Sequence, residues 1–263
     1  AAVEEERINR KKHYSGYPIE AIKECLKIGN IKETDITDLA FNTNPYSNFL
    51  RKSFFYLKNL SLRKDSQISS FNKKRNLDKI SKDKLKLNKN VKFHVIEHHL
   101  AHIASAYYPS MFKKANGLSI DGSGDFVSMA IAECENNKIM IKKKIFFPDS
   151  LGIFYHAMTQ FLGYKNYGDE YKIMGLAAYG KPIYYEKIIN NLFKINSSQK
   201  FELNLNFFNH YKKNFRYIAN EDLVIDKIFN SKIKKLFSEE MNEDDFDKNF
   251  ASSVQKVYEF YFK

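Results

Sequence analysis

The sequence predicts an α/β fold in which a mixed sheet is flanked by helices. Three observations predict it. An apolar run at Phe93–Ile96 passes directly into the helix-spaced segment Glu97-His98-His99-Leu100-Ala101-His102. A second apolar run, Leu118-Ser119-Ile120, ends in Asp121-Gly122-Ser123-Gly124. Two strand-like runs separated by Asn136-Asn137 are then followed by three helical stretches. Strand, helix, strand, Asp-Gly turn, hairpin and helices is the order of an α/β domain.

The elements follow in order. Ile19 to Gly29 reads as a helix, with Pro18 near its start and Gly29-Asn30 near its end. Ile36 to Phe41 reads as a short buried strand, and Tyr46 to Leu60 as a helix. Arg63 to Lys92 is rich in Lys, Ser, Asn and Asp with sparse Leu and Ile. A charge run of this kind reads as a solvated face, either a surface insertion or a basic helical hairpin. Phe93 to Ile96 is a strand feeding the histidine helix. Gly117–Ile120, Val127–Glu133 and Lys138–Phe147 are successive strands, the last two joined through Asn136-Asn137. Leu151–Phe161, Glu170–Ala178 and Ile183–Phe193 read as helices, Phe201–Phe208 as a strand and turn, and Phe246–Tyr261 as a helix. No repeat of short period is visible.

Composition bounds the rest. A chain of 263 residues with 43% hydrophobic content can hold one large domain or two small ones. No run reaches eighteen apolar residues, so no membrane span is expected. Cys25 and Cys134 are isolated, with no CxxC pair, and are expected to stay reduced, as in a cytoplasmic protein. Cys25 lies on the apolar face of its helix, where core packing is the default role. The net charge of +12 admits nucleic acid or an anionic surface as a partner. Lys outnumbers Arg heavily, whereas phosphate and base readout favour Arg, so nucleic acid is not the expected partner.

Chemistry concentrates in two segments. His98 and His102 are four apart, which on a helix puts both imidazoles on one face. With Asp121 at the end of the following strand they form a donor set suited to Fe(II), Zn(II) or a similar divalent ion. The HExxH protease pattern is excluded, because His99 stands where it needs Glu. His99 faces another side of the helix, where a satisfied structural histidine is the reading to favour. The second segment is Asp169-Glu170-Tyr171-Lys172-Ile173-Met174-Gly175-Leu176-Ala177-Ala178-Tyr179-Gly180-Lys181-Pro182. Asp169 can cap a helix there, and Gly180 with Pro182 can stop it. Gly175 in the middle of a helix costs roughly 1 kcal/mol against Ala. Spacing alone favours a packed helix whose glycine touches a neighbouring element. A ligand contact is the alternative. Glu170 and Lys172 at the helix start suit anion contact. Glu170 can also receive a proton from an acceptor, although a carboxylate is ordinary at a helix N-terminus.

Taken together these segments resemble the O-carbamoyltransferases of nodulation-factor and antibiotic biosynthesis. Glu4 to His13, with Tyr17-Pro18, resembles the opening "EERF-x-R-x-KH…FP" of that family. Glu97 to Tyr108 resembles "EHHLSHAASAFF", and Leu118 to Asp125 resembles "LTLDG-x-GE". Pro148 to Gly163 is similar to "PHSLGLLYSAFTYYTG", Glu170 to Pro182 to "EYKLMGLAPYGEP", and Ala251 to Val257 to "AASVQ-x-V". The order and approximate spacing agree along the whole chain.

The resemblance implies a partial actin-like, sugar-kinase-like (ribonuclease H-like) ATPase-type domain over residues 1–263, with 63–92 as a basic surface insertion. Family members are longer. By the resemblance, the chain is therefore expected to be a piece cut at both ends, lacking the C-terminal adenylate-forming domain and unable to make carbamoyl adenylate alone. The implied reaction is carbamoyl transfer from carbamoyl phosphate, through carbamoyl adenylate made with ATP, to a hydroxyl of a small-molecule or sugar acceptor.

Roles follow by resemblance too. Gly122, Ser123 and Gly124 match a phosphate turn, where missing Cβ atoms let backbone N–H groups approach phosphate. Arg10 and Lys12 match a substrate-facing "R-x-K". Lys172 and Gly175 would line the nucleotide site, and Lys12 and Glu170 would serve catalysis. A further Asp beyond residue 263 would complete the shell around His98, His102 and Asp121. The partners expected are ATP, carbamoyl phosphate and a hydroxyl-bearing small molecule, with a homodimer as the open question of assembly. Two competing readings share the fold: transfer to tRNA of the threonylcarbamoyladenosine type, which a tRNA shift assay would reveal, and a non-catalytic nucleotide- or sugar-binding domain.

Overall fold

The computed structural model describes residues 1–14, 16–59, 74–194, 201–212, 216–219 and 222–263. They divide into two compact units. The first is residues 1–101 with 216–224, and the second is 102–215 with 225–263.

The first unit opens with α1 (Glu5–Asn9) and α2 (Ile19–Ile28). The Glu5 carboxylate accepts the backbone N–H groups of Glu20 and Ala21, so the short acidic helix caps the longer one. Strand β1 (Asp38–Phe41) precedes α3 (Phe49–Lys58), which stands where the sequence reading placed a helix. The basic segment read as 63–92 falls in part on 60–73, outside the described residues. Its later part forms α4 (Leu77–Lys84), with Ser81 and Leu85 buried and the Tyr17 hydroxyl donating to Ser81 Oγ at 2.9 Å. Strand β2 (Lys92–Val95) pairs parallel with β1, from Asp38 opposite Lys92 to Phe41 opposite Val95.

Helix α5 (His98–Tyr107) starts in the first unit and continues in the second. A three-stranded antiparallel sheet follows: β3 (Lys114–Gly124), β4 (Val127–Glu135) and β5 (Lys138–Phe146). The hairpin at Asn136-Asn137 stands as read, with Asn136 at φ 53°. The Asp121–Gly124 segment corrects the sequence reading. It is not the turn but the end of β3, with a register irregularity between Ile120 and Gly124 and Gly124 still paired to Val127. The turn is Asp125-Phe126, both left-handed, at φ 49° and 72°. Left-handed φ at both central residues matches the twist of a two-residue hairpin, at a steric cost for a bulky side chain. The Phe126 ring packs on Phe147 at 5.6 Å, and that contact helps offset the cost.

Helix α6 (Leu151–Phe161) is buried along almost its whole length and forms the centre of the main core. Ser150 caps it by accepting the Ile153 N–H at 3.0 Å. Around it lie α7 (Glu170–Ala177), α8 (Tyr185–Leu192), α9 (Ser231–Leu236) and α10 (Phe246–Phe262). Phe161 packs against Phe229, Phe237, Phe246 and Phe250 at centroid distances of 5.7, 6.2, 6.3 and 4.9 Å. Helix α7 and its exit press on α10. A Cβ built on Gly180 would lie 2.0 Å from the Lys248 carbonyl oxygen. Two small pairs complete the strands, β6 (Phe193–Lys194) with β7 (Glu202–Leu203), and β8 (Arg216–Ala219) with β9 (Asp222–Ile225).

The α/β class therefore holds, but parallel and antiparallel pairing occupy separate small sheets where one mixed sheet was expected. No helix among the described residues is long and apolar enough to cross a membrane.

One partly buried acid sets a pH dependence. Asp149 accepts the Leu203 N–H at 2.8 Å, and burial pushes its carboxyl up to about 6, with Glu202 adding to the rise and Lys194 opposing it. A folded-state value above the ordinary 3.8 means that the native chain binds the extra proton between these two values. This group's contribution is complete below about 4 and is lost as pH rises through about 6. Asp149→Asn keeps an oxygen for Leu203 and removes the buried charge. The variant is expected to melt higher than the native chain at pH 7 and no higher at pH 4, as read by calorimetry at the two pH values.

Candidate metal centre

Helix α5 is built to present its histidines. Glu97 stands just before it and accepts the Leu100 N–H at 2.8 Å, satisfying an amide that the helix start would otherwise leave open. His99 is fully buried, with its ring against that of His98 at 5.5 Å. One turn apart on the other side, His98 is partly buried and His102 is half exposed. His98 Nδ1 lies 3.3 Å from the Asn42 carbonyl oxygen, a contact that orients the ring and leaves Nε2 as the ligand nitrogen.

Two glycines bring the helix and the acid together. On β3, a Cβ at Gly117 would lie 2.6 Å from Ile103 Cγ2, so its absence seats α5 on the strand. Farther along β3, the Asp121 carbonyl accepts the Ser150 hydroxyl at 3.1 Å. A Cβ at Gly152 would meet the Asp121 carbonyl carbon and the Gly122 nitrogen at 2.8 Å each. The first turn of α6 thus rests directly on the Asp121–Gly122 peptide. Gly122 N–H donates to Asp121 Oδ1 at 2.6 Å, and Asp121 Oδ2 lies 3.8 Å from His102 Nε2.

One ligand atom from each of His98, His102 and Asp121 lies within 4.8 Å of the other two. Ligands about 2.0–2.2 Å from a shared ion sit roughly 3–3.6 Å apart, so the three need to close by about an ångström. Two imidazoles and a carboxylate, partly open to solvent, fit a divalent ion with free coordination positions.

The other residues singled out in the sequence lie as follows. Arg10 ends α1 in the left-handed region at φ 60°, and Lys12 is exposed in the turn beyond it, both in the first unit. Gly122 and Ser123 are partly buried and Gly124 is buried. Asp169 does not cap α7. Its carboxylate accepts the Asn166 N–H at 3.0 Å and pairs with Lys172 Nζ at 2.7 Å, so Lys172 is held at the helix start beside the Tyr164 and Tyr171 rings. That pairing raises the Lys172 ammonium and lowers the Asp169 carboxyl against the pull of burial. Gly175 is exposed, and a Cβ there would meet nothing within 4 Å. The packing explanation for this glycine therefore fails, and the glycine that touches a neighbouring element is Gly180.

Glu170 opens α7 and is bound to His156, whose Nδ1 lies 2.6 Å from Glu170 Oε1. Sequence reasoning passed over His156. Its signal was one ionisable residue inside the apolar run Gly152-Ile153-Phe154-Tyr155-His156-Ala157-Met158.

The family model described as carbamoyltransferase N-terminus matches residues 1–261. The chain is 33% identical over 223 residues to an uncharacterized protein of Synechocystis sp., an alignment covering 80% of this chain and 36% of that protein. It is 32% identical over 206 residues to the nodulation protein NolNO of Sinorhizobium fredii, covering 74% of this chain and 28% of the relative. With the nodulation protein NolO of Bradyrhizobium diazoefficiens it shares 35% identity over 112 residues, 42% of this chain and 20% of NolO. The aligned stretches thus span roughly a fifth to a third of these relatives.

Proposed function

The chain belongs to the carbamoyltransferase N-terminus family, and from that premise we propose that it forms part of the transfer site of an enzyme that moves a carbamoyl group onto a hydroxyl of a small-molecule or sugar acceptor. The observation that carries the reading is the approach of His98, His102 and Asp121 to a common point beside the Asp121–Gly124 segment. The proposed donor is carbamoyl phosphate, activated with ATP as carbamoyl adenylate.

Bound by these three residues, a divalent ion, Fe(II) in first place and Zn(II) in second, would supply Lewis-acid polarisation of the donor's oxygens. The chain's own groups do the rest. Asn42 and Gly122 hold His98 and Asp121 in orientation. The main chain at Gly122, Ser123 and Gly124 is the proposed phosphate contact, with the Ser123 N–H as donor because the Gly122 N–H is already given to Asp121, and small residues there let the backbone come close. Arg10 and Lys12 are proposed to neutralise phosphate oxygens as the leaving group gathers charge. Glu170 is proposed to take the proton of the acceptor hydroxyl as its oxygen bonds to the carbamoyl carbon. The surface of α7 around Gly175 is proposed to meet the nucleotide, a contact its missing Cβ leaves open.

The test is transfer of label. The intact protein, loaded with Fe(II) and given ATP and carbon-labelled carbamoyl phosphate, is expected to label at least one member of a panel of sugars and polyols. Consumption of carbamoyl phosphate with every acceptor unlabelled would overturn the reading.

A further inference from the structure

The pair His156–Glu170 joins the interior to the surface. His156 is 6% exposed, inside the most buried of the described helices. Its Nδ1 lies 2.6 Å from Glu170 Oε1, and its Nε2 is buried without a hydrogen-bond partner among the described residues. Glu170 keeps 33% of its side chain exposed as the first residue of α7. One carboxylate oxygen is therefore clamped from inside, while a third of the side chain stays open to solvent.

We propose that His156 is a positioning residue for carbamoyl transfer, whose Nδ1–H fixes Glu170 in one orientation and in its charged form, so that the second carboxylate oxygen receives the acceptor hydroxyl at the start of α7. This rests on the carbamoyl-transfer reading above. The balance of the step is simple. The hydroxyl proton passes to Glu170, the hydroxyl oxygen bonds to the carbamoyl carbon, and the bond from that carbon to the phosphate oxygen breaks, its electron pair leaving with the phosphate.

The unpartnered Nε2 decides where the charge lies. A doubly protonated imidazole would bury an N–H with nothing to accept it. The tautomer with hydrogen on Nδ1 avoids this and leaves the negative charge on Glu170. The groups facing Glu170 are His156 and Tyr155 on α6 and Asp169 on its own helix start, where Lys172 is already paired with Asp169. Burial pushes the Glu170 carboxyl up and Asp169 adds to that. The His156 hydrogen bond and the residue's own N–H more than offset them, and the net direction is down.

The experiment titrates Glu170 directly in protein labelled with carbon-13 at glutamate carboxyls, in the native chain, His156→Leu and His156→Asn. Leucine removes the donor and asparagine returns an N–H near the place of Nδ1. Glu170 is expected to titrate about one to two pH units higher in His156→Leu, the size of a hydrogen bond to a charged group, and near its native value in His156→Asn. The acidic limb of kcat/KM for carbamoyl transfer should move upward with the leucine variant and return with asparagine. An unmoved Glu170 titration in folded His156→Leu overturns the proposal. So does a moved titration with an unmoved acidic limb. If the leucine variant does not fold, His156→Gln, which carries its amide past Nδ1, takes its place. Native enzyme that labels no acceptor would count against the carbamoyl-transfer reading, while the NMR titration would still decide the clamp.

Discussion

His102→Ala is expected to lower the affinity of the chain for Fe(II) or Co(II) by about 100-fold or more while its thermal unfolding stays close to native. The imidazole is half exposed, so its loss opens no interior cavity. Groups that merely orient a metal ligand cost about 10–100-fold when removed, and a ligand itself should cost at least the upper end of that range. A companion variant separates the ligand from its placement. Gly152→Ala leaves His98, His102 and Asp121 untouched, yet its methyl carbon would stand 2.8 Å from the Asp121 carbonyl carbon and the Gly122 nitrogen. Main-chain atoms cannot swing aside as a side chain would, so the strand end must move and carry Asp121 with it. A loss of about 10–100-fold is expected. Calorimetric titration of the ion into the three proteins measures both effects. Equal affinity in the native chain and His102→Ala would put the ion elsewhere.

The second large effect is on stability. Gly180→Val is expected to cost about 3 kcal/mol or more and to lower the melting temperature by roughly 6–12 °C, because overlap with a fixed neighbour forces the backbone apart. The neighbour is main chain, the Lys248 carbonyl oxygen at 2.0 Å and its carbon at 2.2 Å from the added Cβ. The same junction loses its registry. Lys181 N–H donates to Asn249 Oδ1 at 2.8 Å and Tyr184 N–H to Ser253 Oγ at 3.0 Å, and both depend on the close approach at Gly180. Gly175→Ala is the control, with open space at the Cβ and an expected gain of up to about 1 kcal/mol from helix propensity. Melting curves of the two variants test the contrast. A Gly180→Val protein as stable as native would mean that the contact between α7 and α10 is slack.

Local signals made much of this fold legible. The histidine helix announces itself through four-residue spacing and an acid at its start, and Asn136-Asn137 marks its hairpin unaided. The segment Asp121-Gly122-Ser123-Gly124 misleads for a physical reason. Its composition is that of a turn, but pairing with β4 carries the strand through it to Gly124, and the chain reverses at Asp125-Phe126 instead. Long-range pairing overrides local preference there. Helix α1 is too short and charged to show a period, and its function as a cap for α2 exists only once the two meet. The glycines show the limit best. Gly152, Gly175 and Gly180 are alike as letters, yet what faces each depends on strands and helices distant in the chain. The grouping of His98, His102 and Asp121, the proposed ion ligands, could be picked out by residue type and spacing. The His156–Glu170 pair could not, because a lone histidine among apolar residues does not name its partner.

The phenylalanines around Phe161 bear on how the interior moves. A phenyl ring turning about its Cβ–Cγ bond sweeps a disc wider than the slot it rests in, and a close-packed interior has no spare volume to lend it. Four other rings stand 4.9 to 6.3 Å from the centre of Phe161. Each half-turn therefore requires the surrounding rings to give way together. Rotation of these five rings is a collective event, timed by the breathing of the segments that carry them.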